Sequence, residues 1–350
     1  MMTLEEKKID HKKLCILGTG SWGLTLAWLA AKSQMRDPHK PRMQITLWGR
    51  SAEKVAEFNE NRHIHFPVEM EIPQDVEITA DLTHAMQGAD AVLFVVTAKA
   101  TREVAEAIAQ TNALPSHAIL VNASKGLEYP SLKPMSLILK EVFPTHQVGV
   151  LSGPTLAKEI LKGLPTACTI SADTLDVAKH LQEMLNCDRQ FRLYTNTDVL
   201  GVELAGATKN VFAIASGFMT AKELGDNAKA SLLTRGLAEM ARFCLEQQAE
   251  ESTIYGLAGL GDMLATCNSP LSRNFQVGFR LGKGESLEAI LADMKVVAEG
   301  VQTARAVHDI AKQRHLDMPI VELVVHAVSG TGISGEMMIR SLMNRKLRAE

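Results

Sequence analysis

A glycine-rich turn near the start of the chain constrains its fold more than any other sequence feature. The apolar run Leu14–Leu17 leads into Gly18-Thr-Gly20-Ser-Trp-Gly23, and an apolar helical pattern follows over Trp22–Ala31. A G-x-G-x-x-G turn between a buried strand and a helix lets the backbone turn tightly and approach a pyrophosphate, while the helix N-terminus offers amide donors. The alternative is a glycine-rich turn without a ligand. The strand–turn–helix context favours a dinucleotide-binding loop.

Short apolar runs rich in Val, Ile and Leu recur in the first half of the chain and predict buried strands. They are Leu14–Leu17, Ile45–Trp48, Val76–Thr79, Ala91–Val96, Ala118–Asn122 and Val148–Ser152, followed by Ala167–Ile170 and Phe191–Tyr194. Segments with helical spacing separate several of them: Trp22–Ala31, Ala52–Glu60 and Arg102–Thr111. Near-continuous apolar strands that alternate with helices indicate a parallel sheet covered on both faces. We therefore predict an α/β fold with an N-terminal Rossmann-type, doubly wound sheet.

The sequence pattern changes at Thr195–Asp198, a cluster of helix-capping residues. Beyond it the helical period dominates and strand signals are nearly absent. The predicted helices are Val199–Leu224, Lys229–Gln247, Leu287–Leu291, Val301–Arg314, Pro319–Val328 and Met337–Lys346. We predict a dinucleotide-binding domain over residues 1–197 and an all-α, substrate-binding and catalytic C-terminal domain over residues 198–350.

Composition argues against several functional classes. The net charge of −3 gives no reason to expect nucleic acid or an anionic membrane as a partner. No apolar run has the length of a membrane span, and Met1–Lys13 does not resemble a signal peptide. The five cysteines are scattered without a CxxC pair, which indicates a reducing compartment. His63 and His65 alternate, but no carboxylate completes a metal-binding set, so we predict no metal site.

The end of the second predicted strand bears on the choice of cofactor. It reads Leu47-Trp48-Gly49-Arg50, with no Asp or Glu at its tip. An acidic residue there binds the ribose 2'-hydroxyl of NAD, whereas an arginine accommodates the 2'-phosphate of NADP. Arg50 therefore favours NADPH over NADH, the alternative being a solvated surface arginine. The spacing from Gly20 to Arg50 exceeds the usual one, and the loop-like segment Arg36–Arg42 accounts for the excess.

Basic residues among apolar or small neighbours are candidates for proton transfer and anion binding, because a desolvated lysine can protonate a ketone oxygen. Lys125 follows the strand Ala118–Asn122, at the edge where open α/β sheets bind ligands, although a solvated loop lysine fits equally. Lys209 lies in an apolar predicted helix, where it either reaches the surface or is functional. Gly259–Asp262 and Ser272–Asn274 offer a carboxylate, a guanidinium and an amide in a loop-like stretch, or are ordinary turn residues.

Seven motifs occur in the order found in NAD(P)-dependent glycerol-3-phosphate dehydrogenases, and the chain resembles the soluble, bacterial type of that family over nearly its whole length. They are the glycine turn, Lys125–Glu128, Gly153–Glu159, Gly206–Asn210, Gly259–Asp262, Leu271–Asn274 and Val297–Val301. The resemblance implies reversible reduction of dihydroxyacetone phosphate to sn-glycerol 3-phosphate with NADPH or NADH. It also implies a cytoplasmic homodimer that supplies glycerophospholipid synthesis. Thr155-Leu156 departs from the Ser-Phe often found in the family, but threonine keeps the hydroxyl.

The resemblance also implies roles for individual residues. Lys209 matches the family's general acid/base. Lys125 matches a lysine that touches substrate and cofactor and would lower the pKa of Lys209, and Asp262 matches a substrate-binding residue that would balance both lysines. Substrate contacts are further implied for Gly153, Thr155, Ser272, Arg273 and Asn274, the last three around the phosphate. Cofactor contacts are implied for Gly18, Gly20, Ser21, Trp22, Gly23, Arg50, Lys125, Ala157, Arg273, Val297 and Glu299.

Two other functions remain open on the sequence. A 2- or 3-hydroxyacid dehydrogenase has the same layout but acts on carboxylate substrates. A dinucleotide-binding sensor retains the fold without needing a lysine pair and a phosphate site. Turnover on phosphorylated and on carboxylate substrates distinguishes these possibilities.

Overall fold

The computed structural model describes residues 12–36, 42–65, 68–187, 190–294 and 299–330. Its strands are β1 (Lys13–Leu17), β2 (Gln44–Trp48), β3 (His63–Ile64), β4 (Met70–Glu71), β5 (Val76–Thr79), β6 (Ala91–Phe94), β7 (Ile119–Asn122), β8 (Val148–Ser152), β9 (Thr166–Ala172) and β10 (Phe191–Asn196). Within the described residues, eight strands form one sheet in the order β10-β9-β8-β7-β6-β1-β2-β5, and all eight predicted strands are confirmed. The remaining pair, β3 and β4, is a short antiparallel ladder that the apolar runs did not predict.

Helices cover both faces of the sheet. They are α1 (Ser21–Arg36), α2 (Ala52–Asn61), α3 (Leu82–Met86), α4 (Ala98–Thr111), α5 (Met135–Val142), α6 (Ala157–Leu161) and α7 (Leu175–Leu185). Alternate residues of β1 point to opposite faces, so Leu14 and Ile16 join one apolar core while Cys15 and Leu17 join another. The Rossmann-type, doubly wound arrangement is confirmed.

One pair of neighbouring strands departs from the predicted parallel sheet. β8 and β9 are antiparallel, whereas β9 and β10 are again parallel. A parallel pair needs a crossover of a dozen or more residues that usually contains a helix. The connection between β8 and β9 contains only the five-residue helix α6, so the chain turns back beside β8 instead of crossing the sheet.

The second half of the described chain is helical, as predicted. Its helices are α8 (Val199–Ala221), α9 (Gly225–Glu246), α10 (Glu251–Ile254), α11 (Asp262–Asn268), α12 (Arg273–Gly282), α13 (Leu287–Met294), α14 (Glu299–Gln313) and α15 (Pro319–Val328), with a π-helical turn at Leu257–Gly261. The predicted helix Met337–Lys346 and most of the segment Arg36–Arg42 lie outside the described residues. No helix in the described part of the chain is long and apolar enough to cross a membrane.

The central helix α8 is almost entirely buried and packs unusually closely against α12. A Cβ at Gly217 would lie 2.0 Å from the Phe275 carbonyl oxygen, and one at Gly278 would lie 1.8 Å from the Ile214 carbonyl oxygen. Real side chains cannot occupy such positions, so glycine lets the two backbones touch. We call this contact the α8–α12 glycine seam.

Candidate active site

The three glycines of the turn between β1 and α1 have different surroundings. Gly18 has a φ of 123°, in the region that favours glycine, and a Cβ there would lie 2.8 Å from the Val95 carbonyl oxygen. A Cβ at Gly23 would lie 1.9 Å from the Gly18 carbonyl oxygen, so this glycine allows close packing of helix and turn. A Cβ at Gly20 would meet nothing within 4 Å. The open space beside Gly20 and the N-terminus of α1, at Ser21 and Trp22, fit a cofactor pyrophosphate.

Arg50 lies just beyond β2, beside the glycine turn. The connection is short, because the Gly18 amide donates to the Trp48 carbonyl oxygen at 2.8 Å. The Arg50 side chain is 74% exposed and lies 3.7 Å from the Glu103 carboxylate of α4. The described structure therefore places Arg50 with the glycine turn rather than with the lysines described below, as a contact to the adenosine end of a dinucleotide requires.

The side chains of Lys125, Lys209 and Asp262 converge on one buried cluster. Lys125 Nζ lies 2.6 Å from Asp262 Oδ2, and Lys209 Nζ lies 3.1 Å from Asp262 Oδ1. The exposed fraction is 16% for Lys125, 7% for Lys209 and 2% for Asp262. Lys209 therefore does not reach the surface, and Lys125 is not a solvated loop residue. One carboxylate is shared by two ammonium groups, so it balances only one of the two positive charges when both lysines are protonated.

Burial lowers the pKa of Lys209 to about 8. Asp262 opposes this change, while the charge of Lys125 adds to it. The proposed repulsion between the lysines is thus present, but desolvation is the larger cause. Thr266 also contacts the cluster: its Oγ1 accepts from Lys209 Nζ at 2.7 Å and donates to Asp262 Oδ1 at 3.0 Å.

Sequence reasoning did not single out Thr266. It lies one helical turn after Asp262 on α11, so the two side chains share a face of that helix. A threonine four residues after a candidate carboxylate was the available signal.

The loop after β8 supplies further contacts to Lys125. Its ammonium group donates to the Gly153 carbonyl oxygen at 2.8 Å and to Thr155 Oγ1 at 3.2 Å. Thr155 thus brings its hydroxyl to the cluster. Ala157 follows at the start of α6. Gly153 and Thr155 therefore lie beside the lysine pair, while the structure shows Ala157 only as their neighbour along the chain.

Asp262 begins a helix, so the prediction of a loop-like stretch was wrong there, whereas Ser272 follows a short turn and caps α12. The π-helical turn Leu257–Gly261 runs directly into α11 at Asp262, and a Cβ at Gly259 would lie 2.0 Å from the Ile254 carbonyl oxygen. Gly259 therefore serves close packing rather than an open loop. Ser272 is the N-cap of α12, and its Oγ accepts from the Phe275 amide at 3.2 Å.

Asn274, in the first turn of α12, lies near the backbone of the helix that carries Lys209. Arg273 is exposed, whereas the Asn274 side chain is buried and its Oδ1 accepts from the Gly300 amide at 3.1 Å. A Cβ at Gly300 would lie 2.9 Å from the Asn210 carbonyl oxygen. Asn274 is thus separated from the backbone next to Lys209 by a single glycine. Backbone amides, a guanidinium and the helix dipole at this end suit an anion.

Glu299 joins the two halves of the chain. Its Oε1 accepts from the Ala98 amide at the start of α4 at 3.2 Å. Burial raises the pKa of Glu299, against the charges of Arg273, Lys209 and Lys125. The carboxylate therefore lies among three cations of the site. Val297, the other residue predicted in this segment, lies outside the described residues.

Comparison with known proteins identifies the family. Residues 13–178 match the N-terminal part and residues 198–339 the C-terminal part of the NAD-dependent glycerol-3-phosphate dehydrogenase family. The chain is 40% identical to glycerol-3-phosphate dehydrogenase (NAD(P)+) of Citrifermentans bemidjiense over 97% of its own length and 99% of that protein. The chain belongs to the NAD-dependent glycerol-3-phosphate dehydrogenase family. It is therefore an oxidoreductase that uses NADH or NADPH.

Solved structures agree with membership of the glycerol-3-phosphate dehydrogenase family. The crystal structure of glycerol-3-phosphate dehydrogenase from Coxiella burnetii superposes with a TM-score of 0.87 at 29% identity, and the match covers 96% of this chain and 100% of that one. A ketopantoate reductase from Ralstonia eutropha shares the fold alone, with a TM-score of 0.58 at 13% identity over 94% of this chain and 99% of that one. The alternative hypothesis of a 2- or 3-hydroxyacid dehydrogenase receives no support beyond this likeness of fold.

Proposed function

We propose that the chain interconverts dihydroxyacetone phosphate and sn-glycerol 3-phosphate, with Lys209 as general acid and base. The observation that carries the proposal is the buried Asp262 carboxylate shared by the Lys125 and Lys209 ammonium groups. A nicotinamide cofactor, when bound, supplies the hydride in one direction and accepts it in the other. The residues of the chain then have to bind the substrate and move one proton.

The hydrogen-bond partners of Lys209 support its role in proton transfer. Thr266 Oγ1 and Asp262 Oδ1 engage two of its three ammonium hydrogens. We expect the third to bind a substrate carbonyl oxygen, which becomes a hydroxyl when it takes that proton. Because the pKa of Lys209 is about 8, both protonation states are populated near neutral pH, and the neutral amine can take the proton back from the hydroxyl.

Lys125 and the N-terminus of α12 support a phosphorylated substrate. The two lysines outnumber the Asp262 carboxylate they share, and the N-terminus of α12, with Ser272, Arg273 and Asn274, offers amide donors, a guanidinium and a helix dipole. A phosphate dianion suits this arrangement better than a neutral group does. Gly153 and Thr155 close the other side of Lys125.

Arg50 supports a preference for NADPH. It is exposed at the end of β2, and neither position 49 nor position 50 holds an acidic residue. A 2'-phosphate would therefore find a guanidinium rather than a carboxylate. The family resemblance supports the remaining proposals, namely a cytoplasmic homodimer whose product supplies glycerophospholipid synthesis, and cofactor contacts at Ala157, Val297 and Glu299.

The test mixes the purified protein with NADPH and dihydroxyacetone phosphate and follows the loss of reduced cofactor by absorbance. We expect rapid oxidation that Lys209→Ala abolishes. Full activity of Lys209→Ala would reject Lys209 as the proton donor while leaving the substrate assignment intact. Turnover only on 2- or 3-oxoacids would assign a hydroxyacid dehydrogenase, and cofactor binding without any turnover would indicate a sensor.

A further inference from the structure

Glu203 is a buried carboxylate on α8, the helix that carries Lys209, and in the described part of the chain it hydrogen-bonds to Asn122 and Ser136, neither of which is proposed to bind substrate or cofactor. Its Oε1 accepts from Asn122 Nδ2 at 2.7 Å and from the Ser136 amide at 3.0 Å. Its Oε2 accepts from the Ser136 amide at 3.2 Å and from the Ser136 hydroxyl. One side chain of the helical half thus binds the end of β7 and the first turn of α5.

The contact with Asn122 leads directly to Lys125. Asn122 Oδ1 accepts from the Ser124 amide at 3.0 Å, and Nδ2 also donates to the Ser124 carbonyl oxygen at 2.9 Å. Because an amide has distinct donor and acceptor ends, the Glu203 carboxylate determines which end of Asn122 faces α8. Ser124 in turn donates through Oγ to the Val96 carbonyl oxygen. Ser124, the residue before Lys125, is therefore held both by Asn122 and by the Val96 carbonyl oxygen.

We propose that Glu203 is a positioning residue, which holds the segment 122–125 against α8 so that Lys125 and Lys209 reach opposite oxygens of one carboxylate. The inference rests on the proposed function, since it concerns the geometry of the proposed acid. Without Glu203, the segment loses the hydrogen bond that ties Asn122 to α8, and we expect Lys125 to move away from Asp262. A displacement of about 1 Å in such a cluster can cost a hundredfold in rate.

Loss of this geometry has a specific electrostatic consequence. The titratable groups around Lys209 are Asp262 and Cys267 of α11, Lys125 after β7 and Glu299 of α14. Departure of Lys125 removes a nearby cation and leaves Asp262 to Lys209 alone. Both changes favour the charged form of Lys209, so its pKa rises. A mere loss of folded protein would not move this pKa.

Glu239 offers a matched control. It is a buried glutamate on α9 whose oxygens accept from the Ile320 and Val321 amides at 2.8 and 3.2 Å, at the N-terminus of α15. Burial raises the pKa of Glu203 and of Glu239 alike to about 7. Both carboxylates hold a helix N-terminus, but the partners of Glu239 lie within the helical half and away from the segment 122–125.

The experiment compares the full-length wild type, Glu203→Gln and Glu239→Gln for kcat, KM and the pH dependence of kcat/KM in ketone reduction. We expect Glu203→Gln to lower kcat about tenfold or more and to move the alkaline limb upward by about one pH unit. We expect Glu239→Gln to lower the thermal midpoint but to keep the wild-type kcat and the wild-type pH dependence of kcat/KM. A wild-type kcat and pH profile in Glu203→Gln would overturn the inference, as would an equal effect of both variants.

Asn122→Ala replaces Glu203→Gln if the latter does not fold, because it removes the link to Lys125 while Ser136 still satisfies the carboxylate. The same upward shift of the limb supports the inference, and an unshifted limb overturns it. Failure of the proposed function is a different result. Wild-type protein without turnover on dihydroxyacetone phosphate, or fully active Lys209→Ala, would reject that function before any Glu203 variant is measured.

Discussion

Lys209 Nζ lies 3.1 Å from Asp262 Oδ1, and both side chains are almost wholly removed from water. The carboxylate favours the charged form of the lysine and so raises a pKa that burial lowers to about 8. In the proposed mechanism the lysine has to be protonated for ketone reduction, so we expect the rate of the wild type to fall as pH rises through about 8 and the reverse reaction to slow as pH falls through the same value.

We expect Asp262→Asn to lower the pKa of Lys209, because the substitution removes the negative charge that favours the protonated lysine. The pH at which each direction of the reaction loses activity should move downward with it. At about pH 8 the reduction rate then decreases about tenfold or more, since little protonated lysine remains. The measurement is kcat/KM as a function of pH in both directions. Limbs that stay in place would contradict the assignment of the titrating group to Lys209.

An added methyl group should weaken cofactor binding at Gly20 but lower the stability of the fold at Gly23. Gly20→Ala places its methyl in open space, so we expect an unchanged thermal midpoint and a Kd for NADPH about tenfold higher, equivalent to about 1.4 kcal/mol. Gly23→Ala places it 1.9 Å from the Gly18 carbonyl oxygen, so we expect a loss of stability of about 3 kcal/mol. Thermal unfolding and calorimetric titration measure the two effects. Equal destabilisation by both substitutions would contradict the assigned roles.

Arg50 and Glu103 should affect NADPH and leave NADH almost unchanged. Arg50→Ala removes a charged contact worth about 1.5–3 kcal/mol, so we expect KM for NADPH to rise about tenfold to a hundredfold. Glu103→Gln frees the guanidinium from an exposed ion pair worth at most about 1 kcal/mol, so KM for NADPH should fall by a few-fold at most. Steady-state kinetics with each cofactor provide the test, with NADH as the control. A parallel change for both cofactors would place Arg50 away from the 2'-phosphate.

Glu239 should make the free energy of unfolding depend on pH. Its pKa is raised from 4.5 to about 7, so the folded state holds a proton that the unfolded state releases. Its stabilisation is complete below pH 4.5 and is lost as pH rises to about 7, with a total of roughly 3 kcal/mol. We expect this decrease to be smaller in Glu239→Gln than in the wild type. Urea unfolding at about pH 5 and about pH 7 measures it. Equal decreases in both proteins would show that another group is responsible.

Much of the fold followed from local sequence patterns, because a buried strand has to be apolar and a cofactor turn has to contain glycine. The direction of β9 did not, since an apolar run such as Ala167–Ile170 has no polarity that distinguishes parallel from antiparallel pairing. The stretch around Gly259 was taken for a loop because glycine is typical of turns. In the structure Gly259 lies in a π-helical turn, where the absence of a side chain allows close packing.

The candidate site also contains some residues that the sequence indicated and others that only the structure shows. Lys125, Lys209 and Asp262 were singled out by their unusual surroundings or by family resemblance, and the structure brings them together. Thr266 and Glu203 were not, because their partners are distant in sequence or depend on which face of a helix is buried. Glu203 reaches Asn122 and Ser136, which only the packing of α8 on the sheet edge reveals.

The α8–α12 glycine seam fixes the distance between the two helices. Lys209 lies on one of these helices and Ser272 caps the other, so backbone contact between Gly278 and Ile214 fixes how far Lys209 lies from the N-terminus of α12. Side chains in a core can repack to admit a longer ligand, but two touching backbones cannot approach further and separate only if the helices part. In the proposed function, the length of substrate that fits between Lys209 and the N-terminus of α12 is therefore set by the main chain and not by the side chains around it.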